Sequence, residues 1–287
     1  MKKDFKNFCL GTVQFGKDYG LRNIRDSQID DYEIEKIFNF FFNNGGRFID
    51  TARNYGNSEK RISKYLNSNT KVISKFELTD KNNLNKSMDA SLNDLGVDKL
   101  DTALLHNPEI LKIDISALDE LVALKENGLC DKVGVSIYSA KDIEKNLHDI
   151  ASKIDVIQIS GNAFDKRFFD NQLIMDTLHA NNIRIDIRSI FLQGLLLQSL
   201  DVSTSLFPLF NKELTEWHFY CKENNLSNLE ACILNIPKAK SEDNLIIFGC
   251  RSLQEIKQTY SAINSKKLAN KFKIDADINL IDPRLWK

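Results

Sequence analysis

The stretch FIDTARNYGNSE, residues 48–59, passes from a short apolar run directly into a polar turn and then into a helix start at Ser58-Glu59. It places Asp50 and Tyr55 five residues apart, just after a segment with the character of a buried strand. In parallel α/β folds the active site lies at the carboxyl ends of the strands. The stretch therefore predicts a functional turn after a core strand.

Short apolar runs like FID recur along the whole chain and alternate with amphipathic patterns. We predict strands at residues 7–12, 47–50, 71–75, 101–106, 132–136, 155–160, 184–189 and 244–249. Several of these runs are apolar without a break. Such runs are typical of parallel strands that are covered on both faces.

Helical patterns lie between these runs, at residues 31–43, 91–96, 115–128, 165–182 and 252–264. In the first pattern four apolar side chains share one face: Ile34, Ile37, Phe38 and Phe41. In the third, the apolar face carries Leu118, Leu121 and Val122, and Gly128 is the expected helix-ending residue.

Eight strands, each followed by a helix, predict a (β/α)8 TIM barrel of the α/β class. The competing doubly wound sheet usually carries G-x-G-x-x-G after its first strand, and GTVQFGKDYG (11–20) lacks that pattern. We expect one domain over residues 1–287, in which residues 265–287 form a C-terminal extension over one end of the barrel.

Composition narrows the class of protein. The 287 residues include 42% hydrophobic side chains, and the formal net charge is −1, which argues against nucleic acid or anionic membrane as a partner. No stretch resembles a signal peptide or a membrane span. The five cysteines are scattered, so we expect no metal site, no disulfide framework and a cytoplasmic location. The sequence predicts no oligomeric state.

Four polar residues lie at or just beyond the ends of predicted neighbouring strands: Asp50, Tyr55, Lys75 and His106. An ammonium group beside a tyrosine favours the phenolate, so Lys75 should lower the pKa of Tyr55. Asp50 would keep Lys75 charged, and His106 would hydrogen-bond a carbonyl oxygen. This arrangement predicts a general acid suited to carbonyl reduction.

At these residues the chain resembles the aldo-keto reductase family. The resemblance extends in order through GTVQFG (11–16), FIDTARNYGNSE (48–59), KVISK (71–75), DTALLHNPE (101–109), VGVSIY (133–138), IDVIQISGN (154–162), RSIFLQGLL (188–196) and IIFGCRSLQEI (246–256). It implies NADPH-dependent reduction of a small aldehyde or ketone on a (β/α)8 barrel, with NADH as a possible second cofactor.

The resemblance also implies roles for individual residues. Tyr55 would be the proton donor of the catalytic set, and Ser136 and Gln158 would bind the nicotinamide carboxamide. Arg251 would meet the 2′-phosphate of NADPH, which favours NADPH over NADH. The cofactor-binding residues expected in full are Gly11, Thr12, Asp50, Ser136, Gln158, Arg188, Ile190, Gly194, Gly249, Arg251 and Glu255.

The chain also departs from the family pattern. Arg188 stands where many members have an aromatic residue that stacks on nicotinamide, and its guanidinium can stack on a ring or bind a substrate phosphate or carboxylate. Ile137, Glu255 and Thr259 replace residues that are common in the family. FLQGLLLQ (191–198) and LIDPRLWK (280–287) resemble the branch associated with bacterial surface-polysaccharide and sugar-nucleotide pathways, which implies a sugar substrate.

Two other functions remain open from the sequence. The first is a cofactor-binding regulatory barrel that reports redox state to a partner and turns over slowly. The second is an aldolase-type barrel in which Lys75 forms a Schiff base with its substrate.

Overall fold

A computed structural model describes residues 4–21, 28–78, 83–112, 114–239, 241 and 243–286. Eight parallel strands follow one another around a closed barrel, and β8 pairs with β1 to close it. The strands are β1 Phe8–Gly11, β2 Phe48–Asp50, β3 Lys71–Phe76, β4 Leu100–Leu105, β5 Cys130–Ser136, β6 Val156–Ser160, β7 Arg184–Arg188 and β8 Leu245–Gly249. The (β/α)8 barrel predicted from the sequence is confirmed.

Helices connect the strands and cover the barrel. They are α1 Val13–Gly16, α2 Asp31–Asn43, α3 Ser58–Ile62, α4 Asn83–Leu95, α5 Ala117–Glu126, α6 Leu147–Lys153, α7 Gln172–Ala180, α8 Leu200–Leu206, α9 Asn211–Glu223, α10 Asn228–Leu234, α11 Leu253–Ile263 and α12 Ile278–Ile281. Short 3₁₀ turns include Pro108–Lys112, Leu192–Leu197 and Pro283–Leu285. Within the described ranges, no helix is both long enough and apolar enough to cross a bilayer.

Helix α2 forms where its sequence predicts it. Asp30 caps its first turn by accepting a hydrogen bond from the Glu33 N–H at 2.7 Å. The four apolar side chains predicted to share a face are all buried. Helix α5 ends at Glu126, and Gly128 follows with a φ of +76°, as expected for a residue that terminates a helix.

The helix predicted over residues 165–182 is wrong in its first part, because α7 begins only at Gln172. The side chain of Asn162 accepts hydrogen bonds from the N–H groups of Phe164 and Asp165, at 2.9 and 3.0 Å. Such a side-chain turn competes with the helix for the same backbone donors. Asn171 then caps α7 by accepting from the Ile174 N–H at 3.2 Å.

Three helices between β7 and β8 were not predicted: α8, α9 and α10. With the C-terminal segment, α9 and α10 contribute to a second apolar cluster, separate from the main core. Trp217 of α9 is fully buried there, and its ring centroid lies 5.3 Å from that of Phe272. The C-terminal segment is fixed further by the Phe272 N–H, which donates to Asn235 Oδ1 at 2.7 Å.

At the amino-terminal ends of the strands, the barrel interior contains a buried ion pair among apolar side chains. Arg184 donates to both carboxylate oxygens of Asp186, each at 2.9 Å, and lies 3.3 Å from Asp101 Oδ2. Burial raises the pKa of Asp186 to about 6, and Arg184 only partly opposes that shift. The polar groups Asp50, Lys75 and His106 lie at the opposite, carboxyl ends of the strands.

Candidate active site

Tyr55 lies on a tight turn that begins directly after β2. The Tyr55 N–H donates to the Ala52 carbonyl oxygen at 3.0 Å, which closes the turn. Gly56 follows with a φ of +62°, and a Cβ at this position would lie 2.4 Å from the Gly16 carbonyl oxygen. Only glycine satisfies both conditions. The sequence Tyr-Gly therefore fixes the path of the backbone at the candidate proton donor.

A buried carboxylate, Glu59, holds the same loop against the barrel. Glu59 is 2% exposed and accepts hydrogen bonds from Ser74 Oγ at 2.7 Å and Ser91 Oγ at 2.9 Å. Arg53 donates to Glu59 at 2.8 Å and to Asp94 at 2.6 Å. Neither Arg53 nor Glu59 was among the predicted site residues. Their role depends on partners that are distant in the sequence.

The structure brings Asp50, Lys75 and Tyr55 together. Lys75 Nζ donates to Asp50 Oδ1 at 2.6 Å and to the Thr51 carbonyl oxygen at 2.8 Å, and it lies 3.4 Å from the Tyr55 hydroxyl. Lys75 is 1% exposed and Asp50 is 4% exposed. Lys75 was expected to close β3, but the strand continues to Phe76.

His106 follows β4 rather than closing it, and its N–H donates to the Phe76 carbonyl oxygen at 2.7 Å. Its ring centroid lies 6.0 Å from that of Tyr55, with the two rings nearly perpendicular. Burial, assisted by Lys75 and Arg188, lowers the pKa of His106 to about 3. The imidazole is therefore neutral at physiological pH, and its buried Nδ1 has no hydrogen-bond partner within the described residues.

The expected lowering of the Tyr55 pKa is wrong. Burial of the phenol raises its pKa to about 12, and the opposing effect of Lys75 is smaller. Burial alone would lower the pKa of Lys75, but Asp50 and Tyr55 outweigh it and raise that pKa above its usual value. Tyr55 is thus held as a phenol and Lys75 as an ammonium ion.

The polar contacts continue from Asp50 across the barrel to β5. Gln158 Nε2 donates to Asp50 Oδ2 at 2.8 Å, and Ser136 Oγ donates to Gln158 Oε1 at 3.3 Å. Ser136 and Gln158 are also paired in register on β5 and β6. One continuous line of hydrogen-bonding groups therefore links Tyr55 to Ser136.

An open cleft of about 460 Å³ lies above these groups. Its lining includes the predicted residues Gly11, Thr12, Asp50, Tyr55, Gln158, Arg188, Ile190, Gly194, Gly249, Arg251 and Glu255. Lys75 and Ser136 bond to lining residues, and His106 lies beside Tyr55. Sequence reasoning missed Gln14 and Tyr19, which also line the cleft, although Gln14 lies within the quoted GTVQFG stretch.

Another cavity, of about 470 Å³, lies beside the amino-terminal ends of β1 and β8. Its lining contains none of the predicted site residues. Size does not distinguish the two cavities. The cluster of titratable groups identifies the cleft at the carboxyl ends of the strands as the candidate active site.

The model of the aldo/keto reductase family matches residues 7–276. The chain belongs to the aldo-keto reductase family. Family membership implies an oxidoreductase and suggests NAD(P)H-dependent carbonyl reduction as its reaction. A comparison with curated protein sequences finds no match.

Two solved structures of a "putative aldo-keto reductase" from Pseudomonas aeruginosa resemble this aldo-keto reductase. They are 18% and 17% identical to it, with TM-scores of 0.60 and 0.62. Each comparison covers 90% of this chain and 89% of the other. At this level of identity the likeness concerns the fold.

The cleft of this aldo-keto reductase has features that fit a dinucleotide. In the loop after β7, Ser189, Leu192, Gln193 and Gly194 all have positive φ, and Gly194, at +92°, faces open space. The Leu192 and Gly194 N–H groups donate within the loop, to the Ser189 and Phe191 carbonyl oxygens, and the missing Cβ of Gly194 leaves room for a phosphate to approach the backbone. Gln14 Oε1 is buried, and no described residue donates a hydrogen bond to it, so it is an acceptor available to a ligand.

The far end of the cleft is formed by the turn that precedes α11. The Arg251 N–H donates to Glu255 Oε2 at 2.6 Å, and the Glu255 N–H donates to Ser252 Oγ at 3.1 Å. The Glu255 carboxylate therefore holds the turn that carries Arg251. Both side chains lie where the resemblance expects the adenosine end of the cofactor.

Metal-binding groups do not form a cluster in the part of the chain that the structure describes. No three or more His, Cys, Asp or Glu side chains there are arranged to hold a metal ion. All five cysteines are free and buried: Cys9, Cys130, Cys221, Cys232 and Cys250.

Proposed function

We propose that the chain reduces an aldehyde or ketone with NADPH and that Tyr55 donates the proton. The observation that carries this proposal is the Tyr55 hydroxyl, 3.4 Å from a lysine that is itself 2.6 Å from Asp50, on the wall of the cleft. Reduced nicotinamide, when bound, supplies the hydride.

The other residues of the site have separate roles in the proposed reduction. As the carbonyl oxygen gains negative charge, neutral His106 can donate a hydrogen bond to it. The Tyr55 phenol has a pKa of about 12, so it keeps its proton at neutral pH. It can still transfer that proton to an alkoxide, which is a much stronger base than the phenolate. Lys75 stabilises the phenolate that remains, and Asp50 keeps the ammonium group in place.

We propose that the cofactor binds with its nicotinamide beside the hydrogen-bonded pair Ser136 and Gln158 and with its adenosine end beside Arg251. Ser136 and Gln158 would meet the carboxamide, and the loop around Ile190 and Gly194 would meet the pyrophosphate. Fluorescence titration with NADPH and, separately, NADH tests the cofactor preference. Much tighter binding of NADPH is expected, and equal binding would remove the argument from the 2′-phosphate.

The Schiff-base alternative is disfavoured by the state of Lys75. A lysine that attacks a carbonyl must be neutral, and enzymes usually lower its pKa for that purpose. Here Asp50 and Tyr55 raise the pKa of Lys75, so the amine is held protonated. Borohydride trapping of a substrate on Lys75 would contradict this argument.

Tyr55→Phe tests the proposed role of the phenol. We expect kcat for carbonyl reduction to fall by about 10²- to 10⁴-fold, because the general acid is removed. NADPH binding, measured by fluorescence, should stay unchanged. Tyr32→Phe is the matched control, because Tyr32 is exposed on α2.

The outcomes of this test separate the remaining functions. Reduction by Tyr55→Phe at the wild-type rate would contradict the assignment of the proton donor. If the wild-type protein binds NADPH but reduces none of a broad set of carbonyl compounds, the regulatory barrel becomes the better account.

The sugar-linked substrate and the cytoplasmic location remain predictions. The sugar or sugar-nucleotide substrate is part of our proposal, and it is supported by the two stretches that resemble the polysaccharide-linked branch. Reduction of such sugars no faster than simple aldehydes would contradict it.

A further inference from the structure

Arg188 is the last residue of β7 and lies on the wall of the cleft that also contains Tyr55. It is paired in register with Ser160 of β6, so the barrel fixes the position of its backbone. The side chain is half-buried. Its guanidinium is therefore both reachable from the cleft and partly removed from water.

The charge of Arg188 is not balanced by a carboxylate. Its guanidinium nitrogens donate to the Ile137 carbonyl oxygen at 2.8 Å and to Ser189 Oγ at 3.2 Å, both neutral acceptors. Among the described residues no carboxylate forms an ion pair with Arg188, whose side-chain partners are these two neutral acceptors, and its buried Nε has no hydrogen-bond partner there. A partly buried cation in this state is costly until an anion joins it.

Four other cations in the loops and strands at this end of the barrel are paired with carboxylates. Each of them has a carboxylate partner at 3.0 Å or less: Lys75 with Asp50, Lys112 with Asp142, Arg167 with Asp165, and Arg284 with Asp282. Arg188 differs from these four cations, because its side chain donates only to neutral acceptors and can still bind an incoming negative charge.

The Arg188 guanidinium also has a fixed orientation, which favours binding of an anion. Its guanidinium carbon lies 4.0 Å from the centre of the Tyr138 ring, and the guanidinium of Arg284 contacts the same ring at 4.6 Å. Stacking on an aromatic face fixes the plane of a guanidinium. A planar cation in a fixed orientation suits two-point binding of a carboxylate or phosphate group.

We infer that Arg188 binds the anionic group of the substrate, so that the preferred substrates are carbonyl compounds that carry a carboxylate or a phosphate. This inference rests on the proposed function, because it assigns the substrate class of the same site. Arg188 would hold the charged end of the molecule while the carbonyl faces Tyr55.

The test compares matched pairs of substrates that differ in charge. Butanal is compared with succinic semialdehyde for a carboxylate, and glyceraldehyde with glyceraldehyde phosphate for a phosphate. We expect the wild-type protein to prefer the charged member of at least one pair in kcat/KM by about 10- to 100-fold. The pair that shows the preference identifies which anion the site takes.

Variants then assign the preference to Arg188. Arg188→Gln should remove it, mainly by raising KM for the charged substrate, and NADPH titration of the same variant separates this role from the cofactor contact that the sequence resemblance implies for Arg188. Arg188→Lys keeps a point charge without the planar fork and should retain part of the preference. Lys112→Gln is the matched control, because it removes a cation that Asp142 already balances, and it should retain the full preference.

A binding measurement separates this inference from the proposed function. Calorimetry with succinate and with inorganic phosphate, on the protein saturated with NADP⁺, detects the anion site without turnover. Arg188-dependent binding without reduction of any carbonyl would keep the anion site and reject the reductase. Reduction of both members of each pair at equal rates, or loss of NADPH binding in Arg188→Gln, would overturn the anion site.

Discussion

Replacement of Lys75 by methionine should destabilise the folded chain strongly, because it leaves a buried carboxylate without its counter-charge. The two charged atoms are 2.6 Å apart, and the side chains of Lys75 and Asp50 are 1% and 5% exposed. At this distance and an effective dielectric constant of about 20, the attraction is about 6 kcal/mol. Desolvation offsets much of it, so we expect Lys75→Met to lower the free energy of unfolding by about 3–5 kcal/mol.

The companion variants show whether the loss comes from an unpaired charge. Asp50→Asn should be costly in the same way, because it leaves the ammonium group buried. The double variant removes both charges, and its asparagine oxygen can still accept from Gln158. We therefore expect it to be more stable than Lys75→Met, so the coupling energy should exceed the cost of Asp50→Asn alone, about 3–5 kcal/mol.

Urea unfolding followed by circular dichroism measures these differences, with carbonyl reduction assayed in parallel. All three variants should lose turnover, since each removes part of the site, while the single variants should lose more stability than the double variant. Lys125→Met is the control: the distance between Lys125 Nζ and Asp155 Oδ2, 2.7 Å, is nearly as short as in the Lys75–Asp50 pair, but the side chains are 41% and 32% exposed. The control should cost less than about 1 kcal/mol. Equal losses in Lys75→Met and Lys125→Met would refute the reasoning.

Three further predictions concern pH and the loop that carries Tyr55. Because the pKa of His106 is about 3 and that of Tyr55 is about 12, kcat for reduction should stay constant from about pH 5 to about pH 9, and a break near neutrality in its pH profile would contradict this. Gly56→Ala should lower stability by about 1–3 kcal/mol in thermal unfolding, because an alanine at a φ of +62° meets a backbone oxygen; an unchanged Tm would count against it. Glu59→Ala should lower the free energy of unfolding by about 3–5 kcal/mol, because Glu59 is buried, and Asp94→Ala, at a half-exposed site, by less than about 1 kcal/mol. Similar denaturant midpoints for these two variants would show that burial does not set the cost.

The barrel and the cluster of Asp50, Lys75 and Tyr55 could be predicted from the sequence for a physical reason. Continuous apolar runs identify parallel strands, and the carboxyl ends of such strands meet at one face. Residues that are far apart in the sequence are therefore brought together by topology alone. The hydrogen bonds of 2.6 and 3.4 Å made by Lys75 agree with that expectation.

Other features required three-dimensional information. The direction of the Tyr55 pKa shift depends on how far burial outweighs Lys75, and the sequence does not reveal that balance. The start of α7 depends on the turn made by Asn162, which competes with helical hydrogen bonds. The contact between Arg188 and Tyr138 joins two different strand ends through their side chains, and periodicity carries no information about it.

The line of hydrogen bonds from Tyr55 through Lys75, Asp50 and Gln158 to Ser136 has a consequence for protein engineering. A redesign of the proposed nicotinamide end at Gln158 also removes a hydrogen bond from Asp50, and so acts on the lysine beside the phenol. Cofactor fit at that end and proton delivery therefore cannot be altered independently. The turn before α11 belongs to a different element, so cofactor preference is more safely changed there, without disturbing the machinery that handles the proton.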